Sequence, residues 1–292
     1  MTYARNPENL ADVAQDPRYH FVRGDIADPQ AVDGIFERGF YAIVHFAAET
    51  HVDRSIEDAS PFLKTNILGT HTLLEATRRF PAMRFIHSNT DEVYGSAPAG
   101  VSFTEEATLT PRSPHAASKA SAEHLVTAYI NTYRVPAVIL RCTNNYGPSQ
   151  FPEKLIRLMI ANASEERPPP IYGGLQERDW LFVENHCRAI ALALDNAKPG
   201  SVCNVSSGVS LPNLKVVRTI LQHRDKPESL IQYVEDRSGH DRRYGLDSSK
   251  IQSELGWAPT VSLEEGLHRT IEWYQVNAMW LDHTRRSETF RT

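Results

Sequence analysis

Cysteine is scarce in this chain. There are three in 292 residues, and an odd count argues against a disulfide framework. Cys142, Cys187 and Cys203 also have no pairwise spacing that suggests a metal knuckle, so no metal site is expected. Such usage fits a reducing compartment. Long apolar runs are missing too, since no stretch approaches the roughly 18 residues a membrane span requires. The opening "MTYARNPENLADV" lacks the apolar core of a secretory leader. These absences predict a soluble, cytoplasmic protein with no membrane partner. Nor is there an excess of positive charge: 31 Lys and Arg face 36 Asp and Glu, a net charge of -5, which argues against general nucleic-acid binding.

What is present is an ordinary globular composition, with 41% hydrophobic and 23% charged residues. The length suits one large sheet with a smaller appended lobe. Apolar runs of strand length recur, "YHFVR" at 19–23, "YAIVHFA" at 41–47, "MRFIHS" at 83–88 and "PAVILRC" at 136–142, with helix-length segments between them. Strands apolar on both faces and separated by helices predict a parallel sheet covered on both sides, a doubly wound, Rossmann-like α/β fold. Residues 61–79 place Phe62, Ile67, Leu73, Leu74 and Ala76 near one helical face, and 117–133 do the same with Ala120, Leu125 and Tyr129. Past Phe151 the rhythm loosens. "EERPPPIYGG" at 165–174 and "EDRSGHDRRYG" at 235–245 read as long loops of the kind that touch ligand.

In an open α/β sheet, ligands bind beyond the carboxyl ends of the strands. Three of these ends carry polar groups: Ala47-Ala48-Glu49-Thr50, Asn89-Thr90-Asp91-Glu92 and Thr143-Asn144-Asn145-Tyr146-Gly147. Taken singly, each is ordinary turn chemistry or solvated surface. Three at successive strand ends, facing one crevice, point to a site. Adjacent carboxylates at Asp91 and Glu92 suit complementary acid and base work when their surroundings split their pKa values.

At these residues the chain resembles the extended short-chain dehydrogenase/reductase superfamily, and within it the dTDP-glucose 4,6-dehydratases. "FAAETHVDRSI", "NTDEVYGS", "NNYGPSQFPEKLIRLMI", "IYGGLQERDWLFVENHCRAI" and "DRSGHDRRYGLDSSKI" are similar to signatures of that family, nearly end to end. The resemblance implies an NAD-dependent enzyme that removes water from dTDP-glucose to give the 4-keto-6-deoxy sugar. Glu92 would take the C5 proton, Asp91 would protonate the departing C6 hydroxyl, and Thr90, His115 and Lys119 would complete the catalytic set. Asp25 and Ile26 would meet the adenine part of NAD, and Phe46, Ala47, Ala48, Glu49, Thr65, Lys119 and Asn145 the rest of it. The nucleotide sugar would lie against Thr50, Thr90, Asn144, Lys154, Leu155 and Arg178. It would also meet Pro170, Ile171, Tyr172, Asn204, Asp236, Arg237, Ser238, Gly239 and His240. A homodimer joined by a four-helix interface is the implied assembly, with a buried monomeric face as the equal alternative.

The resemblance also frames three departures. The family opens with a strand, a glycine-rich turn and a second strand. "MTYARNPENLADV" resembles the segment just after them, so roughly 30 residues of βαβ unit are expected to be absent, through a late start or a lost beginning. Poor NAD affinity and marginal stability are the expectation. His115 stands where the family has the tyrosine of a Tyr-x-x-x-Lys motif. Histidine, with an ordinary pKa of about 6.5, needs no lowering to act as a base. Its shorter reach nevertheless predicts impairment, because a misplacement of about 1 Å can cost on the order of a hundredfold. Smaller changes are Asn89 and Thr50 for serine, Ser238 for proline, and a loop "YGGLQERDW" one residue short.

The expected organisation is a remnant NAD-binding domain over 1–148 and 181–206, with a nucleotide-sugar-binding lobe over 149–180 and 207–292. Two alternatives remain at this point. One is a non-catalytic nucleotide-sugar-binding remnant; the other is an epimerase or decarboxylase of another nucleotide sugar, against which the Asp91-Glu92 pair argues. Tyrosine at 115 is expected to raise turnover in a chain with a complete N-terminal unit, and an unchanged rate would show that histidine is competent or that the defect lies elsewhere.

Overall fold

The structure, a computed structural model, describes residues 6–80, 84–168, 170–172, 176–235 and 240–280, without the side chain of residue 170. Its strands are β1 (Ala42–His45), β2 (Arg84–Thr90), β3 (Ala137–Cys142), β4 (Asn144–Tyr146), β5 (Pro170–Tyr172), β6 (Glu177–Phe182), β7 (Val202–Val205), β8 (Ser210–Pro212) and β9 (Gln232–Val234). Its helices are α1 (Pro29–Phe36), α2 (Val52–Glu57), α3 (Ser60–Phe62), α4 (Thr70–Arg79), α5 (Pro114–Tyr133), α6 (Leu155–Ser164), α7 (Val183–Asn196), α8 (Asn213–His223), α9 (Ser249–Leu255) and α10 (Leu263–Val276). No helix among the described residues is long and apolar enough to cross a membrane.

Four parallel strands in the order β1-β2-β3-β7 form the larger sheet. Every residue of β3 is buried, as a strand covered on both faces must be. On one face Phe85, Ala137 and Ile139 pack with Val32, Leu74 and Val126 of α1, α4 and α5. On the other, Ile86, Val138 and Leu140 meet Ala189 and Ile190 of α7 and Ile251 of α9. This is the doubly wound α/β architecture. The register sets Thr90 opposite Cys142, so β2 and β3 end side by side and present their following residues to one crevice.

Residues 19–23 correct the first strand expectation: they form no strand, and Phe21 and Val22 are exposed. An apolar run becomes a strand only when a neighbour completes its ladder. Among the described residues β1 pairs with β2 alone. The helix expected over 61–79 also differs in detail, because it runs in π form over Leu63–Gly69 between α3 and α4. The wider turn carries Asn66 and Gly69 inward, while Ile67 is only half-buried. At Gly69 a Cβ would lie 2.5 Å from Ile26 Cδ1, so glycine permits that close approach.

The smaller lobe combines the sheet β4-β6-β8 with the pair β5-β9. Its core joins Tyr146, Ile156, Trp180 and Phe182 to Val217 of α8 and Leu267 and Ile271 of α10. Ile251 and Trp257, expected in this lobe, instead pack on the larger sheet, and Trp257 Nε1 donates to Asn185 O at 2.9 Å. Apolar burial against α7 outweighs sequence proximity there.

The lobe closes where α10 meets β4, and a Cβ at Gly266 would lie 2.2 Å from Tyr146 Oη and 2.9 Å from Phe182 Cδ2. Gly266→Ala should therefore destabilise the fold by about 1–3 kcal/mol through overpacking, read as a lower melting temperature. Gly34→Ala, in open space within α1, should leave melting unchanged or raise it. Equal melting of Gly266→Ala and wild type would contradict the packing account.

Candidate active site

β2 ends at Thr90, whose hydroxyl accepts the Glu92 backbone N–H at 3.3 Å and opens a single 3-10 turn, Asp91–Tyr94. The turn stops at Gly95 with φ 74, where a Cβ would lie 2.5 Å from Thr110 O. Only glycine fits that backbone and that approach. Two carboxyl groups follow the strand directly, and they face different surroundings. Asp91 is 2% exposed. Its Oδ1 accepts the Thr90 hydroxyl at 3.2 Å, and its Oδ2 is sealed with no hydrogen-bond partner among the described residues. Burial first, then the neighbouring Glu92, hold its pKa well above the usual carboxylate range. Glu92 instead lines an open cleft of about 1070 Å³.

Beside this turn packs the start of α5, capped by Ser113, whose Oγ accepts the Ala116 N–H at 3.1 Å. His115 and Lys119, four residues apart, fall on one helical face. Lys119 Nζ donates to Ser88 O at 2.8 Å, and burial brings its pKa down to about 8. The His115 backbone N–H donates to Ser55 Oγ at 3.2 Å, and its ring Nδ1 lies 3.2 Å from Glu92 Oε2. His115 thus meets Glu92 just past the end of β2, while the Lys119 ammonium lies on the strand itself, at Ser88. Beneath them Arg141 pairs with Glu123 and reaches Tyr94 Oη, and Tyr94 Oη donates to Asn204 Oδ1 at 2.8 Å.

Comparison with known proteins decides what this arrangement belongs to. A family model described as GDP-mannose 4,6 dehydratase matches residues 1–270. A dTDP-glucose 4,6-dehydratase of Streptomyces niveus is 47% identical over 281 residues, 96% of this chain and 83% of that protein. The chain belongs to the dTDP-glucose 4,6-dehydratase family. Among solved structures, the Streptomyces venezuelae dTDP-glucose 4,6-dehydratase with NAD and dTDP bound superposes with a TM-score of 0.95 at 46% identity, covering 97% of this chain and 88% of that one. The Bacillus anthracis dTDP-glucose 4,6-dehydratase in complex with NAD gives 0.91 at 42% identity, with the same coverage.

Within this dehydratase fold, Thr50, Asn144, Lys154, Leu155, Ile171, Tyr172, Arg178 and His240 all line the cleft. Lys154 Nζ donates to Thr50 O at 3.2 Å across its mouth. Asn204 does not line it. It is fully buried and spends its amide on Phe103 O and Asp247 O and its carbonyl on Tyr94, so it braces the turn after β2. The Arg178 guanidinium is held by the carbonyls of Glu177 and Asp241 over the Tyr244 ring. Asp236, Arg237, Ser238, Gly239 and the Pro170 side chain lie outside the described residues.

Residues expected at the cofactor are spread over the loop after β1, the π turn, α5 and β4, where Asn145 also lines the cleft. Phe46 is exposed, and Glu49 is fixed by Asn66, which accepts its N–H at 2.9 Å and donates to Ser118 Oγ at 2.8 Å. Ala47 is exposed, and Ala48 and Thr65 are half-buried nearby. Asn145 presents a sealed carbonyl oxygen without a hydrogen-bond partner among the described residues, and Lys119 keeps two N–H bonds beyond the one given to Ser88. Such a donor and acceptor set fits the nicotinamide and its ribose. Of the two residues expected at the adenine, Asp25 pairs with Lys64 at 2.9 Å and Ile26 packs on Gly69. Ahead of α1 the described residues hold one glycine, Gly24, and no glycine-rich turn for a pyrophosphate.

Sequence reasoning missed Arg157 and Trp180 as cleft-lining residues. Position i+3 from Lys154 on α6 could have indicated the first; Trp180 reads from sequence as core. Ser55 and Asn66, which hold the walls together, carry no sequence signal.

Raised burial of Asp91 sets a sign for stability. Its folded pKa lies above the unfolded 3.8, so the carboxyl costs nothing below that value and weakens the fold as pH rises above it. Asp91→Asn should melt above wild type at pH 7, with a gap that closes as pH falls toward 4. A variant that melts lower by the same margin at every pH would contradict this.

Proposed function

We propose that the protein eliminates water from dTDP-glucose, giving the 4-keto-6-deoxy sugar. One observation carries the reading: Asp91, a carboxyl whose pKa burial raises, adjoins the cleft-lining Glu92, which contacts the His115 imidazole of α5. Neighbouring carboxyls with opposed surroundings are the signature of paired acid and base work.

In this reading NAD, when bound, supplies reversible hydride acceptance, at C4 on the way in and at C6 on the way out. Lys119 would hold the nicotinamide ribose and Asn145 the carboxamide side. The ketone at C4 makes the C5 proton acidic enough for a carboxylate base. Glu92 takes it, and the electron pair moves toward C6. Asp91 gives its proton to the C6 hydroxyl, which leaves as water. The cleft between Thr50, Lys154 and Tyr172 would hold the nucleotide, and the Arg178 charge would face its diphosphate.

The same proposal includes a homodimer in the cytoplasm. Leu63, Leu68 and Tyr133 are exposed on the helical segments 63–79 and 114–133, an apolar surface that a second copy would cover. Sedimentation should show a dimer, and a monomer at micromolar concentration would count against it.

Product analysis tests the activity. Incubation with dTDP-glucose and NAD+ should yield the 4-keto-6-deoxy product, and Asp91→Asn and Glu92→Gln should each lower kcat by about 10²–10⁴. An epimerised sugar, or tight binding of dTDP without turnover, would favour the alternatives instead.

A further inference from the structure

His115 differs from a tyrosine at the same position in what it touches. Its Nδ1 lies 3.2 Å from Glu92 Oε2, with side chains 5% and 15% exposed. An ionised carboxylate only accepts hydrogen bonds, so the imidazole must be the donor in this contact. The neutral ring then carries its hydrogen on Nδ1 and its lone pair on Nε2. Two further contacts hold the residue, one at its backbone and one at its ring. The backbone N–H donates to Ser55 Oγ at 3.2 Å, and Phe62 packs edge-on, with centroids 6.1 Å apart and planes at 77°. Both ring nitrogens of His87 are sealed without partners, whereas Nε2 of His115 is not. Among the described residues no side chain hydrogen-bonds Nε2. Lys119, the partner a tyrosine would use, gives a hydrogen bond to Ser88 O.

We propose that Glu92 serves both proton transfers: its Oε2 holds His115 in the Nδ1–H form, so that Nε2 takes the C4 hydroxyl proton, and its second oxygen then takes the C5 proton. The inference rests on the water-elimination reading. Bond by bond, the O4–H proton moves to Nε2 and the C4–H leaves as hydride to the nicotinamide dinucleotide, forming the C4 ketone. The new imidazolium keeps an Nε2–H beside that ketone oxygen and a carboxylate at Nδ1, an ion pair of no net charge. When Glu92 takes the C5 proton, the C5–H pair forms the enolate, and the imidazolium N–H stabilises its oxygen. The enolate pair then expels the C6 hydroxyl, which takes the Asp91 proton and leaves as water. With tyrosine at 115 the first proton transfer would not need Glu92; here it does.

Two measurements test this. In ligand-free protein, the 15N signals of the His115 ring, assigned by their loss in His115→Gln, should be those of the Nδ1–H tautomer. The Nε2–H tautomer would overturn the proposal. On rapid mixing of NAD-loaded protein with dTDP-glucose, Asp91→Asn should accumulate reduced nicotinamide. Glu92→Gln should form it on the order of a hundredfold more slowly, and Glu92→Gln combined with His115→Tyr should recover it. Reduced nicotinamide in Glu92→Gln at the Asp91→Asn rate would refute the dual role. Its absence from Asp91→Asn as well as wild type would refute the elimination reading itself, and the base assignment with it.

Discussion

A carboxyl group sealed from water is the constraint around which this structure is arranged. Asp91 sits on a tight turn at the end of a central strand, with one oxygen bound to Thr90 and the other without a hydrogen-bond partner among the described residues. A turn that buries an acid group resists its own closure, since ionisation there is expensive. The fold answers from below. Arg141 and Glu123 form a buried ion pair whose loss of one partner would cost about 3–5 kcal/mol, and that pair grips Tyr94 at the end of the turn and Asn89 just before it. The residues that do chemistry are few; those that keep the turn closed are several and come from β2, β3, α5 and β7.

The same economy joins the loop that leads into the cleft to α5. Asn66 binds the loop after β1 to Ser118 of α5, and it faces inward because the helix widens at that point. On the far side Asp179 accepts Ser206, Ser207 and Gly208, fixing β6 against the loop after β7. These groups make the relative position of carboxylates, imidazole and ammonium a property of the whole fold. A site built this way tolerates little displacement of α5.

Much of this was legible in the residues. Apolar runs at 41–47, 83–88 and 136–142 became the parallel strands because each has neighbours on both faces, and polar residues at three strand ends do converge. The run at 19–23 did not become a strand, since periodicity measures burial potential and says nothing about whether a ladder partner is present. The π turn was invisible for a similar reason: an extra residue per turn is set by what Asn66 and Gly69 meet, not by their helical propensity. Asn204 looked like a ligand residue by resemblance, yet its strand position places it under the turn. The contact between His115 and Glu92 depends on packing of Phe62 and Ser55, which lie some sixty residues upstream.

The central claim is that one hexose is oxidised at C4, dehydrated across C5 and C6, and reduced at C6 over the Asp91–Glu92 pair. Turnover of dTDP-glucose carrying deuterium at C4 reports on all three events at once. The account predicts a 4-keto product with that deuterium in its C6 methyl group. Deuterium retained at C4 of a sugar that still carries its C6 hydroxyl would contradict it.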